Sequence, residues 1–139
     1  MLKNLLSPKL IDSKINISLL IIRVVSALVM IPHGFNKLTH FSEKSGDFMN
    51  FVGLGSEISF ALLVVAEFFC SILLLAGLFS RFVLIPLVIA MFVASFKAHN
   101  GEIFGEGEHS FLYMACYLAL LMAGPGKYSL DNLLFKNKD

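Results

Sequence analysis

The stretch that decides the fold runs from Ile15 to Leu38 and reads INISLLIIRVVSALVMIPHGFNKL. It is apolar over most of its length, and a helix of about 20 such residues spans the hydrocarbon core of a bilayer. Three further apolar stretches follow, at about Ile58 to Leu78, Phe82 to Phe96 and Phe111 to Ala123. None of them shows the alternating pattern of a membrane β-barrel strand. The pattern predicts an all-α, four-helix transmembrane bundle.

The composition of the whole chain agrees with a membrane location. Of its 139 residues, 57% are hydrophobic and 15% are charged, whereas soluble domains are roughly 45–50% apolar and about 25% charged. The 11 Lys and Arg are offset by 10 Asp and Glu, so the chain lacks the basic excess of a nucleic-acid binder. We expect a single domain over residues 1–139 in contact with the lipid bilayer, with a polar leader (1–14), a tail (127–139) and no nucleic-acid partner.

Two glycine-containing segments separate or end the predicted helices. The segment Gly77-Leu78-Phe79-Ser80-Arg81 lies between the second and third apolar stretches, and so short a turn forces an antiparallel helix hairpin. The segment Gly124-Pro125-Gly126 is expected to end the fourth helix, because proline cannot continue it and glycine accepts the backbone angles of a cap.

The distribution of Lys and Arg predicts the orientation in the membrane. Four crossings would place both termini on one side, and that side would carry seven of the basic residues: Lys3, Lys9, Lys14, Arg81, Lys127, Lys136 and Lys138. The other side would carry three, Lys37, Lys44 and Lys97. Because cytoplasmic loops are enriched in Lys and Arg, we expect both termini in the cytoplasm.

Two ionisable residues, Arg23 and Glu67, lie well inside the first and second predicted spans. Charges at such positions are costly and usually have a partner. A rise of about 1.5 Å per residue along the two antiparallel helices places both at a similar depth. The sequence therefore predicts an Arg23–Glu67 ion pair, which either only sets the registry of the helices or also serves a functional site.

One face of the first helix is polar. At about 100° per residue, the residues within one arc of about 100° are Arg23, Ser26, Met30, His33, Gly34 and Lys37. This face is expected to point into the bundle, where Gly34 would permit close approach of a neighbouring helix.

Further polar residues are expected at the outer ends of the helices, namely Lys97, His99, Glu106, Glu108 and His109 near His33, Lys37 and His40. They form either a solvated rim or a site that binds a polar head group or exchanges protons. Tyr113 and Tyr117 lie one turn apart, either as interhelical hydrogen-bonding groups or as a wall facing a ligand. No tight spacing motif supports a metal site, and we predict none.

Several of these residues resemble a known family. Arg23, the segment His33-Gly34-x-x-Lys37-Leu38, Glu67 and the segment Gly77-Leu78-x-x-Arg81 are similar to the pattern of the DoxX family of small four-helix membrane proteins. The closing segment GPGKYSLD, residues 124–131, is similar to the family's closing motif and is the most specific part of the resemblance. The resemblance covers roughly residues 19–133, and His99 and residues 108–113 also look like family positions.

The resemblance implies a place in redox metabolism. The family is named for a subunit linked to thiosulfate:quinone oxidoreductase, and relatives are described as membrane parts of oxidoreductase systems concerned with quinones, thiols or oxidative stress. It therefore implies a multi-pass protein of the bacterial inner membrane with an oxidoreductase partner subunit, and quinone as the candidate cofactor. It does not assign the chain a catalytic activity of its own.

Three functions follow from the residues and the resemblance together. In a quinone- or thiol-linked redox subunit, Glu67 and His33 would exchange protons as catalytic residues, and substrate would be bound by Arg23, Lys37, His99 and Tyr113. Structural roles would fall to Gly34, Arg81, Gly124, Pro125 and Gly126. The alternatives are a non-enzymatic membrane scaffold or assembly partner, and a small-solute or proton pathway, for which so short a chain would need to form an oligomer.

Overall fold

The computed structural model describes residues 12–98 and 104–135, and within these ranges the chain is helical and contains no strand. The elements are α1 (Asp12–Thr39), α2 (Phe41–Lys44), α3 (Ser56–Val64), the π-helical segment π1 (Val65–Cys70), α4 (Ser71–Ala76), α5 (Ser80–Val93), the π-helical segment π2 (Ala94–Ala98), α6 (Glu108–Ala123) and α7 (Leu130–Phe135). Because α3, π1 and α4 are continuous, and α5 continues into π2, the described chain forms four long helices. The predicted leader lies mostly outside the described residues.

Three of the long helices are long and apolar enough to cross a membrane: Asp12–Thr39, Ser56–Ala76 and Ser80–Lys97. The fourth, α6, is apolar but has only 16 residues. At 1.5 Å per residue it measures roughly 24 Å, against a hydrocarbon thickness of about 30 Å. The prediction of an all-α membrane protein is confirmed, and the fourth crossing stays a prediction.

The turn between the second and third long helices follows from its glycine. Gly77 has a φ of 72°, in the left-handed region that favours glycine. Its N–H donates to the carbonyl of Leu74 at 2.9 Å, and the N–H of Leu78 donates to the carbonyl of Leu73 at 2.9 Å. These two bonds form a Schellman motif, which ends α4 and turns the chain back into α5.

The core lies between the four long helices and is built from apolar side chains of all of them. The fully or almost fully buried ones include Ala27, Met30, Leu74, Leu84, Leu87, Met91, Tyr117 and Leu120. The backbones of two helices come close together at Gly34 of α1, where an added Cβ would lie 2.5 Å from the amide nitrogen of Phe68 in π1. Only glycine permits this contact, which presses π1 against α1.

The two ends of the bundle differ in construction. The terminal end comprises the 77–80 turn and residues 124–135, which fold back beside the start of α1. The opposite end comprises the last part of α1, α2, the loop 45–55, α3 and the first turns of α6. We call the latter the cavity end, because the main cavity of the bundle lies there.

Candidate functional site

A cavity of about 520 Å³ occupies the cavity end of the bundle. It lies between α1, the second and third long helices and α6, and Phe48, Met49 and Phe51 of the loop also line it. Most of its lining is apolar, and the polar lining residues are His33, Lys37, Ser59, Glu67, His109, Ser110 and Tyr113. A mainly apolar cavity of this size with a few polar groups is typical of a small-molecule site.

The strongest polar feature of the cavity is an ion pair between Lys37 and Glu67. The Lys37 Nζ donates to the Glu67 Oε2 at 2.5 Å. The Glu67 side chain is only 4% exposed and the Lys37 side chain 29%. Pairing offsets part of the free energy that either charge would lose on leaving water. The cavity therefore has a charged, hydrogen-bonding group in its apolar wall.

Local backbone geometry positions this pair. Glu67 lies within π1, and single π-helical turns inside longer helices occur frequently at functional sites. Gly34 brings the backbone of α1 into contact with Glu67 and Phe68, since an added Cβ would lie 2.6 Å from the carbonyl carbon of Glu67. Lys37 follows Gly34 by one turn of α1, on the same face. The close approach at Gly34 thus places the ammonium group within reach of the carboxylate.

The predicted ion pair between Arg23 and Glu67 is wrong. Arg23 donates from Nη1 to the carbonyl oxygen of Pro125 and from Nη2 to that of Tyr128, both at 2.7 Å. Gly34, which contacts the backbone of Glu67, follows Arg23 by 11 residues of α1, so the Arg23 backbone lies roughly 16 Å from the level of Glu67. The guanidinium therefore lies at the terminal end. Glu67 pairs instead with Lys37, which belongs to the same polar face of α1 as Arg23.

The other predicted substrate and proton-exchange residues fall in different places. His33 and Tyr113 both line the cavity, as does His109. The Tyr113 ring stacks on the ring of the fully buried Tyr117, with centroids 6.0 Å apart. His99 lies outside the described residues. The structure therefore brings His33, Lys37, Glu67 and Tyr113 to one cavity and places Arg23 away from it.

The residues predicted to be structural lie at two positions. Gly34 lies between α1 and π1, as described above. At the terminal end, an added Cβ on Gly124 would contact the Arg81 guanidinium at 3.5 Å, and one on Gly126 would contact Asn16 at 3.4 Å. The carbonyl of Pro125 accepts one of the Arg23 hydrogen bonds. Their roles in folding stay predictions.

The loop before α3 was missed by the sequence reasoning. Phe48, Met49 and Phe51 line the cavity although they lie between two predicted spans. The hydroxyl of Ser59 holds the loop, since it accepts a hydrogen bond from the Phe51 N–H at 2.9 Å and donates to the carbonyl of Gly55 at 2.6 Å. The signal was present in the sequence, because three large apolar residues within FMNF are unusual for a solvated loop.

Metal binding finds no support in the part of the chain that the structure describes. Within residues 12–98 and 104–135, no group of three or more His, Cys, Asp and Glu side chains is arranged to hold a metal ion.

Comparisons with known proteins identify relatives by sequence. The DoxX family model matches residues 18–100. A protein of Haemophilus influenzae, described as uncharacterized, is 32% identical over 125 residues, which cover 83% of this chain and 89% of that protein. No solved structure matches the chain.

Proposed function

The chain belongs to the DoxX family of membrane proteins, and on that premise we propose that it is a quinone-binding membrane subunit of an oxidoreductase system. One observation carries the proposal: a mainly apolar cavity of about 520 Å³ has the Lys37–Glu67 ion pair in its wall. A quinone combines an apolar tail with a ring that bears two carbonyl oxygens. The cavity likewise combines an apolar volume, which can hold the tail, with hydrogen-bond donors, which can bind the carbonyl oxygens.

The polar lining supplies the groups that a quinone head requires. The Lys37 ammonium has three donor hydrogens, so it can bond a quinone oxygen while it remains paired with Glu67. The Tyr113 hydroxyl and the His33 imidazole lie on the same cavity and can donate to the second oxygen. We propose Lys37 and Tyr113 as head-group ligands. His99 is kept as a candidate on its sequence position alone.

Reduction of a quinone to a quinol consumes protons as well as electrons. Glu67 and His33 are the residues that we propose to exchange these protons, because both can change protonation state and both line the cavity. The partner subunit of the oxidoreductase system would supply or take the electrons. Arg23 is proposed to stabilise the terminal end, since both of its described hydrogen bonds go to backbone carbonyls there.

The proposal includes four crossings of the bacterial inner membrane with both termini in the cytoplasm. Lys14, Arg81 and Lys127 belong to the terminal end, and the sequence adds four Lys before residue 12 and after residue 135. The cavity end has basic residues as well, but Glu43, Asp47, Glu106 and Glu108 accompany them. A reporter enzyme that works only in the cytoplasm should be active when it is fused to the C-terminus, and a reporter that works only outside the cytoplasm should be inactive there. The opposite result would reverse the orientation.

A fluorescence titration tests the quinone site. The chain has no Trp and three Tyr, and Tyr113 lines the cavity and stacks on Tyr117. Protein in lipid nanodiscs is titrated with a benzoquinone, and saturable quenching of the tyrosine emission is expected. Lys37→Met should weaken binding at least about tenfold, which corresponds to about 1.4 kcal/mol.

Lys44→Met is the matched control for this titration. Lys44 is an exposed lysine of the same end, its Nζ donates to the Asn36 Oδ1 at 2.7 Å, and it does not line the cavity. The control should bind like the wild type. Quenching that does not saturate, or equal affinities in Lys37→Met and Lys44→Met, would contradict the proposal.

A further inference from the structure

The cavity has an edge on the outer surface of the bundle. Leu62, Val65 and Ile89 line it, yet these residues are 50%, 47% and 48% exposed. Leu62 and Val65 belong to the second long helix and Ile89 to the third. All three lie in helices long and apolar enough to cross a membrane. The gap between these two helices therefore opens toward the lipid.

The packing of the helices explains why the gap is at this level. The second and third long helices contact each other mainly through π1 and α4, whereas α3 packs on α1 and α2. On the third helix, Pro86, Ala90 and Ala94 recur every four residues and so share one face, and all three line the cavity. Because these side chains are small, they leave space unfilled between the third long helix and α3.

The loop before α3 forms part of the cavity wall. Phe51 of the loop lines the cavity, and the Lys97 Nζ of π2 lies 5.6 Å from the centre of its ring. This cation–π contact joins the loop to the third long helix. The loop is itself held to α3 by the two hydrogen bonds of Ser59. The loop is thus a fixed part of the cavity wall, joined to both the second and the third long helices.

We infer that the ligand enters sideways from the bilayer, through the gap between α3 and α5, and that its tail stays in this gap while its head reaches Lys37 and Glu67. This inference rests on the proposed quinone site and narrows its substrate class to quinones with a long isoprenoid tail. A water-soluble thiol or sulfur anion would not enter through an apolar opening toward lipid, because it would have to leave water. Because the tail is already surrounded by lipid, the gap contributes van der Waals contacts with the tail rather than removal of apolar surface from water.

Tryptophan substitutions in the gap test the entry route. Leu62→Trp and Ile89→Trp each place a large ring at the edge of the cavity, at positions where half of the side chain is already exposed. The matched controls are Ile58→Trp and Ile85→Trp, which lie one turn away on the same helices. These positions are 55% and 49% exposed and do not line the cavity.

Two benzoquinones with the same head group are compared in nanodiscs at fixed ratios to lipid, one without a tail and one with several isoprenoid units. Leu62→Trp and Ile89→Trp should weaken binding of the tailed quinone at least about tenfold more than binding of the tailless one. The controls should bind both as the wild type does. Unchanged affinity for the tailed quinone, or an equal loss for both quinones, would overturn the lateral route.

The proposed function and the lateral route fail in different ways. If the wild type binds neither quinone, the quinone site itself is refuted and the route with it. If the wild type binds both, and the gap variants bind the tailed quinone normally, only the route is refuted.

Discussion

The two ends of the bundle both keep a basic side chain away from water, and they do so by different means. At the terminal end, Arg23 is 2% exposed, donates to two backbone carbonyls and lines no part of the cavity. At the cavity end, Lys37 pairs with the buried Glu67, and both line about 520 Å³ of open space. An intramembrane charge is thus not sufficient evidence of a functional site. The two ends differ in what lies beside the charge, since Lys37 and Glu67 line the cavity, whereas Arg23 lines neither that cavity nor the smaller pocket between the start of α1 and Lys127 and Tyr128.

The closing segment of the chain explains how the terminal end is packed. Pro125 and Tyr128 present their carbonyls to Arg23, and the Asp131 carboxylate accepts hydrogen bonds from the N–H groups of Phe79 and Ser80 at 2.6 and 2.8 Å. Asp131 thereby caps the start of α5. One short segment connects α1, the 77–80 turn and α5.

The largest effect is expected at Arg23. Arg23→Met removes both guanidinium hydrogen bonds and leaves the two part-buried carbonyls without this donor, so the free energy of unfolding should fall by about 2–4 kcal/mol. Thermal unfolding of the protein in detergent measures this loss. Arg23→Lys should restore only part of it, because one ammonium cannot reproduce the fork of the guanidinium. A wild-type melting temperature for Arg23→Met would contradict the packing role.

A smaller effect is expected where α1 meets π1. Gly34→Ala would place a methyl group 2.5 Å from the Phe68 amide nitrogen, which forces the two helices apart. We expect a loss of about 1–3 kcal/mol in stability together with weaker quinone binding, since Lys37 and Glu67 would separate. Gly46→Ala is the control, because an added Cβ there meets nothing within 4 Å. Equal behaviour of the two variants would show that the close approach does not matter.

The ion pair should respond differently from Arg23. Lys37→Met leaves the buried Glu67 without its cation and should lower stability by about 1–2 kcal/mol, a value reduced because Lys37 is partly exposed. The double variant Lys37→Met/Glu67→Met should regain most of this stability, because it leaves no unpaired charge. With the single variant Glu67→Met and the wild type, these two variants complete a double-mutant cycle, which thermal unfolding measures. Additive losses would show that the two side chains do not interact.

The smallest effect is expected at the cap of α5. Asp131→Ala removes the acceptors for the Phe79 and Ser80 N–H groups, and losing such a cap costs about 1 kcal/mol. Thermal unfolding measures the loss, and Asp131→Asn, which keeps one oxygen acceptor, should show about half of it. Quinone binding should be unchanged in both, because Asp131 lies at the terminal end. Weaker binding in either variant would contradict the separation of the two ends.

Much of the fold could be predicted from the sequence, because apolar stretches and glycine turns are local signals. The expected first and second helices, 15–38 and 58–78, correspond to Asp12–Thr39 and Ser56–Ala76. The partner of Glu67 could not be predicted in this way. It depends on how far the two helices are shifted along each other, which is fixed by the close approach at Gly34 and is a property of the packed bundle. The polar face of α1 contained the correct partner, Lys37, but the assumed alignment placed Glu67 level with Arg23.

The most direct test of the central claim is the quinone affinity of one folded variant from each end, measured in the same nanodiscs. Lys37→Met/Glu67→Met represents the cavity end and Asp131→Asn the terminal end. We predict at least about tenfold weaker binding for the first and wild-type affinity for the second. Wild-type affinity in the cavity-end variant would contradict the assignment of this cavity as the quinone site.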